Sequence, residues 1–188
     1  MTLSRLTLAQ FRSWPRLDLH LDARPVALHG PNGSGKTNVL EAVSMLSPGR
    51  GMRGAAPADQ ARQGVGAGWR IRAEIGGRQV EASALPGASR SVTLDEKAAP
   101  QTALGSLLRV IWLTPAMDRL FSDSASERRR FLDRLVLALD PAHARHSSRY
   151  DAAMRQRNRL LAGDEPPDPD WLTALEEQMA LHGSTISQ

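Results

Sequence analysis

The sequence predicts an α/β fold: a lobe built on a phosphate-binding loop, an antiparallel β subdomain beside it, and then the start of a helical second domain. Three observations carry this reading. Apolar residues alternate with polar ones at the start of the chain and again around Gly76-Gly77. A glycine-rich motif stands between a short apolar run and a helical pattern, and beyond Pro115 the apolar spacing is helical. The lobe is assigned to residues 1–115 and the helical part to residues 116–188.

Leu3, Leu6, Leu8 and Phe11, then Leu17, Leu19 and Leu21, flank a Ser13-Trp14-Pro15 turn, so two antiparallel strands with one buried face are expected. Pro25-Val26-Ala27-Leu28-His29 reads as a fully buried strand that stops at Gly30. From Lys36, Val39, Leu40, Val43 and Leu46 recur at helical spacing, and Pro48-Gly49 ends that helix. Gly49 to Gly68, rich in Gly, Ala, Arg and Pro, reads as a long basic loop. Trp69, Ile71, Ala73 and Ile75 face Val80, Ala82 and Ala84 across Gly76-Gly77 in a hairpin with a tight turn. Ser91 to Leu94 is a weaker third strand, and Arg109 to Leu113 another buried one. Phe131, Leu132, Leu135, Val136 and Leu139 form one helical stripe. Asp140-Pro141 fits an N-cap followed by proline at the first position of a helical segment reaching Leu161. A loop from Gly163 to Asp170 leads to a last helix near Trp171, and no internal repeat or low-complexity tract is present.

With 188 residues and 41% hydrophobic composition the chain can bury a core, which excludes wholesale disorder. The absence of cysteine removes disulfides, thiolate metal sites and cysteine nucleophiles, and fits a cytoplasmic setting. No apolar run approaches the roughly 20 residues needed to span a bilayer, and the first residues lead into alternation rather than a signal-peptide core. The formal charge is +4, but all 24 basic residues and only 14 of the 20 acids precede Gly163, leaving +10 there and an acidic tail. Lys36 and Lys97 are the only lysines, which makes a lysine at a chemically demanding position conspicuous.

Gly30-Pro31-Asn32-Gly33-Ser34-Gly35-Lys36-Thr37 matches G-x-x-x-x-G-K-[ST] at every fixed position. Glycines let the backbone turn its N–H groups inward. The helix that follows adds the positive end of its dipole. Lys36 supplies a compact cation for the β and γ phosphates of ATP, and the Thr37 hydroxyl suits Mg²⁺. A chance glycine-rich turn would not need the apolar run before it and the amphipathic helix after it. Two strands ahead of the loop give an order that resembles ATPases of the ABC and SMC kind. Neither lysine lies in the Asn-Lys-x-Asp segment by which guanine is usually read, so a GTPase is excluded.

Hydrolysis also needs an acid at the end of a buried strand. Leu135 to Asp140 fits that superficially, yet the helical stripe and Pro141 favour a helix followed by an N-cap. Nothing resembles Leu-Ser-Gly-Gly-Gln. The chain is therefore expected to cradle a nucleotide without hydrolysing it unaided, and its catalytic residues remain unassigned.

Several segments together resemble the RecF family of bacterial recombination and replication-repair ATPases within the SMC/ABC superfamily. They are Leu8-Ala9-Gln10-Phe11-Arg12-Ser13-Trp14, Gly30 through Ala42, Leu46 to Arg50 with Arg53, Leu113-Thr114-Pro115, Glu127 to Asp133, and Gln156 to Leu161. The resemblance covers essentially the whole chain. It implies an ABC/SMC-type ATPase lobe and an ATP-dependent homodimer that binds single-strand and duplex DNA at gaps, junctions and stalled forks. It also implies a part in DNA damage repair and the SOS response, with RecO- and RecR-like partners in loading recombinase. By the same resemblance Gly30 to Thr37 form the ATP site, Arg12 and Ser13 lie beside the nucleotide, and Asn38 follows close to the α-phosphate. Ala116 stands where the family usually has Glu. The family also continues for about as long again, with the signature helix and Walker B acids, so the chain is expected to match an N-terminal half.

Arg50, Arg53, Arg62, Arg70 and Arg72 are candidate contacts for DNA phosphates if they share a face, as are Arg78 and Arg90; scattered solvated charge is the alternative. Arg128 to Arg130 fit a helix surface paired with Glu127 and Asp133 as well as they fit DNA. His29 reads as a packed residue rather than a base, and Trp69, Trp112 and Trp171 as core or domain-contact anchors rather than base-stacking platforms. His143, His146 and His182 show no metal-ligand spacing. Two other readings remain: a truncated, non-hydrolysing DNA- or partner-binding module, and a small-molecule kinase, against which the two leading strands speak.

Overall fold

The computed structural model describes residues 2–119, 125–140, 143–163 and 168–186, and the chain divides into two compact units, Met1–Thr114 and Pro115–Gln188. In the first unit β1 (Leu3–Phe11), β2 (Trp14–His20), β3 (Trp69–Ile75), β4 (Arg78–Ala84), β5 (Ser91–Leu94) and β6 (Lys97–Ala99) form one antiparallel sheet in the order β2-β1-β3-β4-β5-β6. The helices α1 (Lys36–Ser44) and α2 (Pro57–Gln60) lie in the excursion between β2 and β3. Alternation places Leu6, Leu8, Ile71, Ala73, Ile75, Val80, Ala82 and Val92 on one buried face. Val39 and Ala42 of α1, with Met45, Leu46, Leu104 and Leu107, complete that core.

Local chemistry sets the sheet's turns. Gly76 and Gly77 both take positive φ, 56° and 80°, as a two-residue hairpin turn requires. The first hairpin turns at Arg12-Ser13, with Phe11 opposite Trp14, one residue earlier than the Ser13-Trp14-Pro15 turn expected. Gln10 stands in the left-handed region (φ 52°), and the inward alternation of Leu6 and Leu8 resumes at Phe11 instead of at Gln10. The Phe11 ring then meets Trp69 edge-on at 5.5 Å.

Three expectations are corrected here. Residues 25–29 and 109–113 are not buried strands: neither belongs to a strand of the described structure, and Val26, Leu28, Ile111 and Leu113 are exposed. A strand is buried only by neighbours on both sides, and an apolar run alone does not provide them. In α1, Leu40 faces solvent and Glu41 takes a buried place beside Val39 and Ala42. Arg90 is not a surface cation. It is buried, donating to the carbonyls of Met45 (3.2 Å) and Ser47 (3.5 Å) and to Gln101 Oε1, just past the negative end of α1. Burial lowers its pKa to about 10.

The second unit holds α3 (Ala125–Leu139), α4 (His143–Leu161) and α5 (Pro169–Ile186). The residues 135–140 thus end a helix and do not form a strand, and Asp140 N donates to Val136 O. Pro141 lies outside the described residues. The expected stripe on α3 is rotated: Leu132, Val136 and Leu139 are exposed and Ala138 is buried. Asp168, immediately before Pro169, caps α5, its Oδ1 accepting from Asp170 N at 3.0 Å. Gly183 lets α5 approach Tyr150 of α4, since a Cβ there would lie 3.2 Å from the ring. Trp171 is 54% exposed and does not anchor the core. Among the described residues no helix is long and apolar enough to cross a membrane.

Candidate functional site: a phosphate loop braced by the first hairpin

Gly30 to Ser34 form an exposed loop that passes through the buried Gly35 into α1, which begins at Lys36. Gly30, Gly33 and Gly35 adopt φ of 141°, 81° and 89°, conformations that side-chain-bearing residues rarely enter. Lys36 Nζ folds back across the loop to donate to the carbonyls of Gly30 (2.8 Å) and Pro31 (2.7 Å). The ammonium is thereby held against the backbone of the loop's first two residues. Gly35 is the left-handed N-cap of α1, so no side chain blocks the helix's amino end. Pro31, Asn32, Ser34 and Thr37 are all exposed, as contact with a ligand demands.

The first hairpin packs under this loop. Trp14 Nε1 donates to Gly35 O at 3.2 Å, and Ser13 Oγ accepts from Asn38 Nδ2 at 2.8 Å. Arg12 and Ser13 are therefore brought to the first turns of α1. Trp14 is a further member of the site; its place in the Leu8 to Trp14 segment was the only signal for it.

Below the loop lies a carboxylate that no local pattern had assigned. Glu41 is 1% exposed, and Arg12 grips it with Nε to Oε2 at 2.9 Å and Nη2 to Oε1 at 2.6 Å. Arg53 Nη1 reaches the same Oε2 at 2.8 Å and also Asn38 Oδ1 at 3.0 Å. Arg12 Nη1 donates to Asp59 O, while backbone bonds Arg12 N–Gln60 O and Arg62 N–Gln10 O, both 2.8 Å, clasp the loop after α1 to β1. An acid on the inward side of α1 was the visible hint, since a buried charge needs a partner.

The five arginines proposed for DNA are divided. Arg50 is exposed, Arg62 half-buried, and Arg53 is turned to Glu41. Arg70 and Arg72 stand on the outward face of β3 and share Glu81, at 3.1 and 2.7 Å. That outward face also carries Arg5, Arg16, Asp18 and Glu74, so acids interrupt it. Asp18 is held down to about 2 by hydrogen bonding to Arg5. Arg78 pairs with Asp95 at 2.9 Å. His29, expected to be packed, is exposed in the extended segment before the loop.

In the helical unit Arg129 pairs with Asp151 (3.2 Å) and Asp133 (3.7 Å) and lies over the Tyr150 ring, while the side chains of Glu127 and Arg130 fall outside the described residues. His146 and His182 meet at 3.2 Å, Nδ1 to Nδ1. Among the described residues no group of three His, Cys, Asp or Glu could hold a metal ion.

No protein-family model matches the chain. It is 50% identical over 193 residues to the DNA replication and repair protein RecF of Rhizobium meliloti, covering 98% of this chain and 51% of the relative. RecF of Caulobacter vibrioides is 46% identical over 200 residues, with 97% and 51% covered. The chain thus spans about half the length of the curated relatives it matches. Among solved structures it is similar to the recombination mediator protein RecF of the RecFOR pathway with ATPγS: TM-score 0.88, 20% identity, 98% of this chain and 52% of that one. The corresponding RecF–ATP structure gives a TM-score of 0.84 at 23% identity, over 98% and 51%. An SMC ATPase structure, described in terms of ATP-driven dimerization and DNA-stimulated activation, gives 0.56 at 18% over 71% and 98%. These likenesses show the fold, that of RecF and SMC ABC-type ATPase heads, with the antiparallel sheet anticipated.

Proposed function

We propose, from the premise that this chain is a RecF homologue along its whole length, that it binds ATP through Gly30 to Thr37 and serves DNA replication and repair. One observation carries this reading: three left-handed glycines and the Lys36 ammonium line one exposed loop at the start of a helix. The residues fit the group. Backbone N–H groups would bind the phosphates, Lys36 would exchange its two carbonyl partners for phosphate oxygens, and Thr37 would offer its hydroxyl to Mg²⁺. Asn38 and Ser13, bonded to each other, would stand beside the nucleotide and keep it oriented. When bound, ATP supplies a γ-phosphate whose presence or loss can switch the protein between states.

The wider role we propose is binding of single-strand and duplex DNA at gaps and junctions as an ATP-dependent homodimer, with RecO- and RecR-like partners in recombinase loading; what speaks for it is that the relatives are named for DNA replication and repair and for the RecFOR pathway. Arg50, Arg62, Arg70 and Arg72 are the proposed phosphate contacts. Substituting Lys36→Ala tests the site. A fluorescent ATP analogue should bind the 188-residue chain at least about tenfold more weakly, as for loss of one buried charge-assisted contact. Equal binding by the variant would refute the assignment.

A second reading, a non-hydrolysing DNA- or partner-binding module, is favoured by Glu41. The carboxylate closest in sequence to Thr37 is engaged by two arginines and is not poised toward a metal. Mg²⁺-dependent ATP turnover by the purified chain would exclude that reading.

A further inference from the structure

Resting on the reading of Gly30 to Thr37 as a nucleotide site, we propose that Glu41 is a positioning residue. It holds Arg12 and Arg53 in a fixed pair and thereby couples occupancy of the phosphate loop to the posture of the arginine-bearing segment 49–62. The path is continuous and short. Gly35 and Asn38, at the end of the loop and the first turn of α1, contact Trp14 and Ser13 of the hairpin. Asn38 Oδ1 takes a hydrogen bond from Arg53 Nη1 at 3.0 Å, and the same nitrogen reaches Glu41 at 2.8 Å. Glu41 in turn fixes Arg12, whose guanidinium and backbone N–H both hold the far end of the segment, at Asp59 O and Gln60 O. One buried carboxylate thus joins the phosphate loop, the hairpin turn and both ends of the segment.

A structural ion pair would need only one arginine. Glu41 accepts two, so the cluster retains a net positive charge beside a loop that is itself suited to anions. The bonds of Arg53 to Asn38 and Glu41 both leave from Nη1. Its side chain is 38% exposed, so water can reach this tether, while the rest of the segment is anchored through Met52 N to Ser44 Oγ (2.8 Å), Trp69 Nε1 to Pro57 O (2.8 Å) and the buried Gln60. Such a tether is strong enough to set a posture and weak enough to be changed. A nucleotide that fixes residues 30–38 fixes Asn38, and the Asn38–Arg53–Glu41 contacts then cost less to keep.

The test follows tryptic cleavage after Arg50 in the 188-residue chain, with and without saturating ATP, in wild type, Glu41→Gln and Arg53→Gln. ATP should slow cleavage of the wild type about tenfold, within the range usual for coupled sites. In both variants ATP should slow it less than about twofold, while a fluorescent ATP analogue still binds within about threefold of wild type. A merely structural Glu41 would instead lower the melting temperature and raise cleavage across the unit, with the ATP effect intact, and that result would overturn the proposal. Absence of ATP protection in a wild type that binds ATP would overturn it as well. Arg53→Gln changes an accessible side chain and keeps the test decisive if Glu41→Gln fails to fold. No Lys36-dependent ATP binding by the wild type would be the separate failure of the nucleotide reading, and the coupling would fall with it.

Discussion

Replacing Gly35 by alanine places a methyl group where there is no room and where the backbone resists it. The new Cβ would stand 2.7 Å from Ser13 Oγ, 2.8 Å from Trp14 Nε1 and 3.0 Å from Trp14 Cε2. Neither neighbour can retreat cheaply, because Trp14 donates to Gly35 O and Ser13 accepts from Asn38. The left-handed conformation costs an alanine about 1–2 kcal/mol, and forcing the contacts apart about 1–3 kcal/mol more. Gly33→Ala is the internal control: its φ is 81°, yet a Cβ there meets nothing within 4 Å. It should therefore lose only the conformational part, about 1–2 kcal/mol. Urea unfolding followed by tryptophan fluorescence reads the difference, since Trp14 and Trp69 both belong to the first unit. At an m-value of about 1.5 kcal/mol per molar, the two midpoints should differ by about 1–2 M, with Gly35→Ala the lower. Midpoints within about 0.3 M of each other would refute the claim that the hairpin braces the loop through contact at Gly35.

Arg90→Met should cost about 2–4 kcal/mol, because it leaves the carbonyls of Met45 and Ser47 and the Gln101 amide oxygen without their buried donor. Thermal melting of the first unit would show it, and a loss below about 1 kcal/mol would mean that the carbonyls find other partners. In the helical unit, His182 has its pKa lowered first by burial, then by His146, Arg149 and Arg145 on α4. A histidine kept neutral when folded stabilises above its ordinary value of 6.5 and ceases to do so as the pH falls below it. Hydrogen exchange in α4 and α5 should therefore quicken on acidification from pH 7.5 to 5.5, and His182→Gln should flatten that response; an unchanged slope would remove His182 as its source.

What could be read from sequence divides according to how local its cause is. Both hairpins were legible because alternation and Gly76-Gly77 act between adjacent residues. β6 was not, since Lys97-Ala98-Ala99 has no strand composition and turns through Asp95 and Glu96 at φ of 48° and 67°. Residues 25–29 and 109–113 were misjudged because apolar composition announces a need for burial without naming the neighbour that meets it. On α3 the period was right and the face was wrong, for the same reason: Leu132, Val136 and Leu139 outnumber Ala138, but contacts elsewhere decided which side turned inward.

The positive-φ glycines of the Gly30 to Gly35 loop were legible residue by residue because the motif demands glycine at fixed spacing. Glu41 escaped because its two partners lie 29 and 12 residues away. That oversight bears on the charge argument. Pairing leaves the net +10 before Gly163 unchanged, so long-range attraction of a polyanion survives. It does change which arginines can be spent at close range. Arg53 would have to leave Glu41, and Arg70 and Arg72 would have to leave Glu81, before reaching a DNA phosphate. Each such exchange gives up an ion pair, although Glu41 would keep Arg12 and Glu81 would keep whichever of Arg70 and Arg72 stayed. Contacts of this kind would steer and orient more than they add affinity, so under the proposed DNA-binding role the stronger contacts would fall to Arg50 and Arg62, on the segment that Glu41 is proposed to hold.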